Sequence, residues 1–235
     1  MISIITPVKD DLEATATLSP PLVEPSSLVE IILITSRPCS EALLKLIAGH
    51  GQVVTVEEDG YVAKMAAGAA VANGEVLLFM EAPNRLPAQA LASISQNLQL
   101  LPQMIGGNLH LKFDPPSWLG RRLARILKHW RYRGHYFRGS GLFIRKTVYE
   151  TLGGFTPQTF LPDYEFVQRM ERYGPTVYLP EVIYLPLPSW RVILVWLLGP
   201  SLLPSRLTRP ILKWIYPDEE RQAKSASSNL VISSD

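Results

Sequence analysis

Apolar and polar positions switch between two periods along the first half of the chain. Residues 2–6 (Ile-Ser-Ile-Ile-Thr) and 30–35 (Glu-Ile-Ile-Leu-Ile-Thr) are short β-branched runs, stopped by Pro7 and by Arg37-Pro38, and such runs predict strands. Residues 52–56 (Gln-Val-Val-Thr-Val) predict a third strand. Residues 75–80 (Glu-Val-Leu-Leu-Phe-Met) form an apolar run of the kind buried on both faces of a parallel sheet. Between these runs the spacing turns helical. Ser40 is placed to cap a helix through Ile47, which Gly49 and Gly51 end. Residues 62–72 are Ala-rich and helical despite Gly68, and Asn73-Gly74 makes the turn into the next strand. Pro87 suits the first position of a helix running to about Leu100. Residues 105–113 predict a further strand, and Pro115-Pro116 breaks the chain after it.

Strands alternating with helices predict an α/β layered domain with a mostly parallel central sheet. Ligands of such sheets bind beyond the carboxyl ends of the strands. The loops after Thr6, Thr35, Met80 and Phe113 are therefore where binding residues are expected.

Composition narrows the class. Hydrophobic residues make up 47 % and charged residues 19 %, enough apolar material for a core and too little charge for a disordered chain. Twenty prolines exceed the usual ~5 % but form no repeat, which excludes collagen-like and polyproline folds. A single cysteine, Cys39, excludes a disulfide framework and a thiolate metal cluster, and fits a reducing compartment. It has no histidine or basic cluster nearby in sequence to make it a nucleophile. His50, His110, His129 and His135 show no metal-ligand spacing. The opening residues lack the basic start and the length of a signal peptide. The longest apolar stretch, residues 192–203, is shorter than the ~20 residues that span a bilayer. A cytoplasmic location is expected on these grounds.

The net charge of +2 hides an asymmetry: acids dominate residues 1–60, whereas residues 112–146 hold ten Lys or Arg against Asp114 alone. That points to a local anionic partner. Within the basic stretch Leu119, Leu123, Ile126, Leu127 and Trp130 fall near helical spacing, with Arg121, Arg122, Arg125, Lys128 and Arg131 on the other faces. Such a helix either packs its apolar side in the core and solvates its basic side or lies on an anionic membrane surface. Residues 189–198 and 209–216 pair tryptophans with basic residues beside apolar runs, a composition that suits a membrane interface. Peripheral attachment to the inner face of the membrane is one expectation, and ordinary dimer or domain packing the other. No nucleic-acid module is recognisable, so no nucleic-acid partner is expected.

Several blocks resemble the inverting family-2 glycosyltransferases, in particular the small branch called transferase 2, rSAM/selenodomain-associated. They are residues 64–87 (from Lys64 to Glu81-Ala-Pro-Asn-Arg-Leu-Pro87), 105–114 (Ile-Gly-Gly-Asn-Leu-His-Leu-Lys-Phe-Asp), 141–155 and 163–170, with residues 3–8 resembling the first strand. The resemblance covers roughly residues 2–200. It implies a GT-A-type three-layer α/β/α sandwich over residues 1–188, which binds a nucleotide-sugar over the sheet edge. Amphipathic helices would follow at 189–222, near an anionic or lipid-linked acceptor, and a Ser-rich disordered tail at 223–235.

The resemblance also implies roles for individual residues. Nucleotide-sugar contacts would fall to Pro7, Thr35, Lys64, Glu81 and Arg85, a magnesium or manganese ion to Glu81, and the base that deprotonates the acceptor to Asp163. The chain departs from the pattern at several polar positions. The aspartate expected after the second strand is Thr35, and the following glycines are Ser36 and Arg37. The metal-binding aspartate is Pro83 in Glu81-Ala-Pro83. The Gly-Asp-Gln segment is Gly139-Ser-Gly141, and the Glu-Asp pair is Pro162-Asp163. Asp163 equally suits the start of a helix as its cap, and Glu81 equally suits a solvated loop. Two readings follow. One is an inverting glycosyltransferase with Asp163 as base and Arg85 or the basic stretch facing the diphosphate; the other is a GT-A pseudoenzyme that binds or scaffolds.

Overall fold

The four residues of Val76–Phe79 are all buried, as an apolar run covered on both faces requires. They form β4 at the centre of a seven-stranded sheet. In the computed structural model, which describes residues 1–10, 14–15, 29–49, 51–57, 60–136, 138–156, 162–188 and 193, the elements run as follows. The strand β1 (Ile2–Pro7) is followed by β2 (Val29–Thr35), α1 (Glu41–Ile47), β3 (Gly51–Thr55), α2 (Tyr61–Val71) and β4 (Val76–Phe79). Then come α3 (Ala88–Leu100), β5 (Gly106–Phe113), α4 (Trp118–Arg131), a 3-10 turn at Arg138–Ser140 and β6 (Leu142–Arg145). The helices α5 (Lys146–Thr151) and α6 (Pro162–Tyr173) lead into β7 (Thr176–Leu185).

The sheet order is β3-β2-β1-β4-β6-β5-β7. β1 pairs in parallel with β2 and β4, β2 with β3, and β5 with β7, while β6 runs antiparallel between β4 and β5. The expected mostly parallel sheet is found. Side-chain alternation divides the core. Ile2, Ile4 and Leu78 face Ile94 of α3 and Leu123 and Leu127 of α4, and Leu43 of α1 packs on Ile31 and Leu33 of the same face. Ile5, Leu77 and Phe79 face Met65 of α2, Tyr149 of α5 and Phe166 of α6. This is an α/β/α sandwich.

Local signals explain several boundaries. Ser40 Oγ accepts the Leu43 N–H at 3.2 Å and caps α1, and Gly49 ends the turn after it with φ 87°. Gly68 sits inside α2 because a Cβ there would come within 2.5 Å of Ile5 Cγ2 and 2.9 Å of Ile34 Cδ1. The helix therefore lies closer to the sheet than any larger residue allows.

Arg131 corrects the sequence expectation for the basic helix. It is not on the solvated side with Arg121, Arg122 and Arg125 but is buried. Its Nε donates to Asn108 Oδ1, its Nη2 donates to Thr176 Oγ1 at 2.9 Å, and Nη1 lies 3.5 Å from Glu171 Oε1. Its guanidinium sits 4.2 Å from the centroid of the Tyr136 ring. Burial and the nearby Glu171 carboxylate push the Tyr136 hydroxyl well above the usual tyrosine range. Among the described residues no helix is long and apolar enough to cross a membrane. The Pro-rich segment of residues 19–25, the expected helices of 189–222 apart from Ile193, and the tail of 223–235 lie outside the described residues.

Removing one partner of a buried ion pair leaves the other uncompensated. Arg131→Ala is therefore expected to cost about 3 kcal/mol and to lower the melting temperature by roughly 6–12 °C for a chain of this size. Arg125→Ala, on the exposed side of the same helix, should stay within about 0.5 kcal/mol. Thermal denaturation of the two variants checks this, and equal melting temperatures would refute the buried network.

Candidate functional site

From β1 the chain steps outward to β2 and β3, then returns across the sheet to β4 on the other side of β1. This reversal makes a switch point between β1 and β4, where α/β sheets open a crevice beyond the carboxyl ends of their strands. The topology brings the sequence-predicted residues to this edge. Pro7 ends β1, Thr35 ends β2, and Glu81 and Arg85 follow β4. Lys64 lies in the first turn of α2, which starts where β3 ends at the same edge, and its side chain is buried. α6 descends from this edge into β7, which runs parallel to β5 and so to β4. Asp163, buried in the first turn of α6, therefore belongs to the same edge. β6 runs the other way, with Leu142 opposite Phe79, so the 3-10 turn containing Ser140 also stands there.

The strand ladder continues into the edge. Val8 N–H donates to Ile34 O (2.8 Å), Met80 N–H to Ile5 O (3.0 Å) and Val56 N–H to Thr35 O (2.9 Å). The Thr35 side chain is buried. Its hydroxyl accepts the Arg37 N–H at 3.0 Å and donates to Arg37 O at 3.1 Å, closing a short hydroxyl-to-backbone turn. An aspartate here would present a carboxylate to a ligand, whereas this hydroxyl is engaged with its own loop.

The loop after β4 is tied on three sides. Asn84 N–H donates to Glu81 O (2.8 Å) across a cis Ala82–Pro83 peptide. The buried Asn84 side chain donates to Gly139 O at 3.4 Å. Arg85 exchanges two backbone hydrogen bonds of 2.9 Å with Tyr184 of β7, and its guanidinium pairs with the Asp114 carboxylate at the end of β5. Asp114 is the residue that reading the sequence missed. The signal was the topology, which brings the carboxyl ends of β4 and β5 to one edge.

Among the described residues the donor set does not fit a divalent cation. Magnesium and manganese take several oxygen ligands, but Pro83 offers none from its side chain. Among the described residues no group of three Asp, Glu, His or Cys side chains could hold an ion. Glu81, half-buried in the loop, is a single carboxylate.

α6 is anchored on both flanks of Asp163. Tyr164 Oη lies 3.0 Å from His135 Nδ1, and Gln168 Nε2 donates to Gly134 O at 2.9 Å. On the other flank Arg169 pairs with both oxygens of Glu165 (2.6 and 2.8 Å) and donates to the carbonyls of Leu152 and Gly154. Glu165 is thereby committed to the helix. His110, half-buried on β5, pairs through Nδ1 with the Tyr178 hydroxyl. Burial first, then the charges of Lys128 and Lys112, hold its imidazole below the usual range. Neither of these belongs to the carboxyl edge.

No protein-family model and no curated protein sequence matches the chain. Solved structures do. The mannosyltransferase PcManGT of Pyrobaculum calidifontis, in complex with GDP-Man and Mn2+, is similar over 100 % of this chain and 76 % of its own, at 15 % identity and a TM-score of 0.58. Residues 1–349 of S. aureus TarS, in complex with UDP-GlcNAc, match 91 % of this chain and 71 % of their own at 12 % identity and 0.58. The longer S. aureus TarS chain matches at 13 % identity and 0.59, with 42 % of it covered. At these identities the likeness is one of fold, and the fold is GT-A-like.

Manganese or magnesium added alone at ~1 mM should leave the melting temperature unchanged, because a ligand far below its dissociation constant adds almost no stability. A shift that Glu81→Gln removes would instead mean that a cation site is built around Glu81.

Proposed function

We propose that the protein transfers a sugar from a nucleotide-sugar to an acceptor hydroxyl with inversion at the anomeric carbon. The donor would lie across the carboxyl ends of β1, β2 and β4. The observation that carries this reading is the gathering of Pro7, Thr35, Lys64, Glu81, Arg85 and Asp163 at one edge of a switch-point sheet. Solved structures of similar fold hold GDP-Man and UDP-GlcNAc, the ligand class proposed. In the step, the acceptor oxygen attacks C1 of the sugar from the side opposite the phosphate. The bond from C1 to the phosphate oxygen breaks, its electron pair leaves with the nucleoside diphosphate, and the acceptor proton passes to the Asp163 carboxylate. Asp163 suits that role as a buried carboxylate held on a helix braced from both flanks. Lys64 and Arg85 are cations at the edge suited to the charge on the leaving diphosphate. Arg85 would turn to it from Asp114.

A second reading, donor binding without turnover, is favoured by the Thr35 hydroxyl closed on Arg37 and by Pro83 in the tight turn after β4. Calorimetric titration of the full chain with UDP-, GDP- and TDP-sugars, followed by a transfer assay, separates the two. Asp163→Asn should bind donor as the wild type does and lose about 10²- to 10⁴-fold in transfer. Transfer that survives Asp163→Asn would exclude it as the base. Donor binding with no transfer by the wild type would select the second reading, and no binding at all would overturn both.

A further inference from the structure

The outer side of α4 has no part in the candidate site. Gly120, Leu123, Leu127 and Arg131 are buried on its inner side, and a Cβ on Gly120 would lie 3.0 Å from Phe113 Cβ, so the helix rests closely on β5. On the other side Trp118, Arg121, Arg122, Arg125, Lys128, His129 and Tyr132 are all exposed. At about 100° per residue these seven fall within an arc of roughly 120°. They form one straight stripe about 21 Å long at 1.5 Å per residue. Its cations are Arg121, Arg122, Arg125 and Lys128. A large aromatic stands at each end, Trp118 at 66 % and Tyr132 at 68 % exposure. No acidic residue occurs anywhere between Pro115 and Tyr149.

We propose that this stripe docks the protein on the surface of an anionic phospholipid membrane. Solvating one basic helix face requires neither an exposed tryptophan at its start nor an exposed tyrosine at its end. Aromatic rings at the headgroup level with cations between them match the chemistry of the membrane interface. Basic residues near an anionic leaflet each strengthen binding through its negative surface potential. A single-stranded nucleic acid would also meet the charge, but it is held by aromatics interleaved with cations along a groove. Here the aromatics stand at the two ends of an outward-facing helix, and the Tyr132 ring meets Tyr178 edge-on at 5.9 Å. The docking does not depend on sugar transfer. Its consequence does: α4 begins just after Asp114, the partner of Arg85, so a docked helix would hold the proposed donor site beside the membrane.

The test is co-sedimentation of the full chain with vesicles of phosphatidylcholine alone and of phosphatidylcholine with phosphatidylserine, across a series of salt concentrations. Binding is expected only to the anionic vesicles and should fall as salt shortens the screening length. At about a factor of five per cation, Arg122→Ala with Arg125→Ala should weaken it roughly 25-fold. The change in tryptophan fluorescence on binding should be reduced in Trp118→Phe. Near-ultraviolet circular dichroism verifies that the variants fold. The proposal is overturned by wild-type protein that stays in the supernatant, or by equal binding to neutral vesicles. It is also overturned by a double variant that binds as the wild type does, which would move the contact elsewhere on the chain, or by tight binding of single-stranded RNA without vesicle binding.

Discussion

Parallel pairing of Ile2–Pro7 with Val29–Thr35 on one side and with Val76–Phe79 on the other forces every connection among these strands to cross a face of the sheet. The β2–β3 crossover lays α1 on one face and the β3–β4 crossover lays α2 on the other, which is why these strands can be apolar on both sides. The crossovers leave β1 in one direction and return to it from the other. A crevice at the carboxyl ends of β1 and β4 follows from that reversal. The antiparallel β6 then carries the 3-10 turn to the same edge, and α6 delivers Asp163 there.

The two ends of the sheet are built differently. At the amino end Glu30 acts as a polar clamp. It accepts Ser3 Oγ at 2.6 Å and the Asn73 backbone and side-chain N–H groups at 2.8 Å each, while Ser3 Oγ accepts the Gly74 N–H at 2.8 Å. Burial opposes the ionised form of Glu30, but the Ser3, Asn73 and Gln52 hydrogen bonds together outweigh it and hold the carboxyl below its usual range. This clamp joins β1, β2 and the turn into β4. At the carboxyl end the polar groups are tied within loops instead: Thr35 to Arg37, Asn84 to Gly139, and Arg85 to Asp114. The sheet is thus clamped across strands at its amino end, while the carboxyl-end polar groups are held by the loops that carry them.

What was legible in the sequence was local. β-branched runs stopped by proline marked β1 and β2, an uninterrupted apolar run marked β4, and Ser40 marked the start of α1, because each depends on neighbours within a few residues. The helical period of α4 was legible, but the burial of Arg131 was not. Its partners Asn108, Glu171 and Thr176 lie 23 to 45 positions away in sequence and meet only through the β5–β7 register. β7 gave no clear signal, since Pro180 interrupts it and a register shift falls between Leu109 and His110 opposite. At the edge, Asp163, Glu81 and Arg85 were singled out by the resemblance to a glycosyltransferase family, while their positions alone equally suited a helix cap and solvated loop residues. The ion pair that ties Arg85 to Asp114 depends on two loops meeting, which spacing along the chain does not encode.

In the function proposed here, the carboxyl edge of β1, β2 and β4 receives a nucleotide-sugar. Hydrogen–deuterium exchange of the full chain with and without GDP-mannose and UDP-GlcNAc measures it directly. Ligand should slow exchange at residues 6–8, 35–37 and 81–85 and leave the Glu30 clamp at residues 29–31 and 73–76 unchanged. Protection confined to the amino end, or absent from all three loops when calorimetry shows binding, would contradict it.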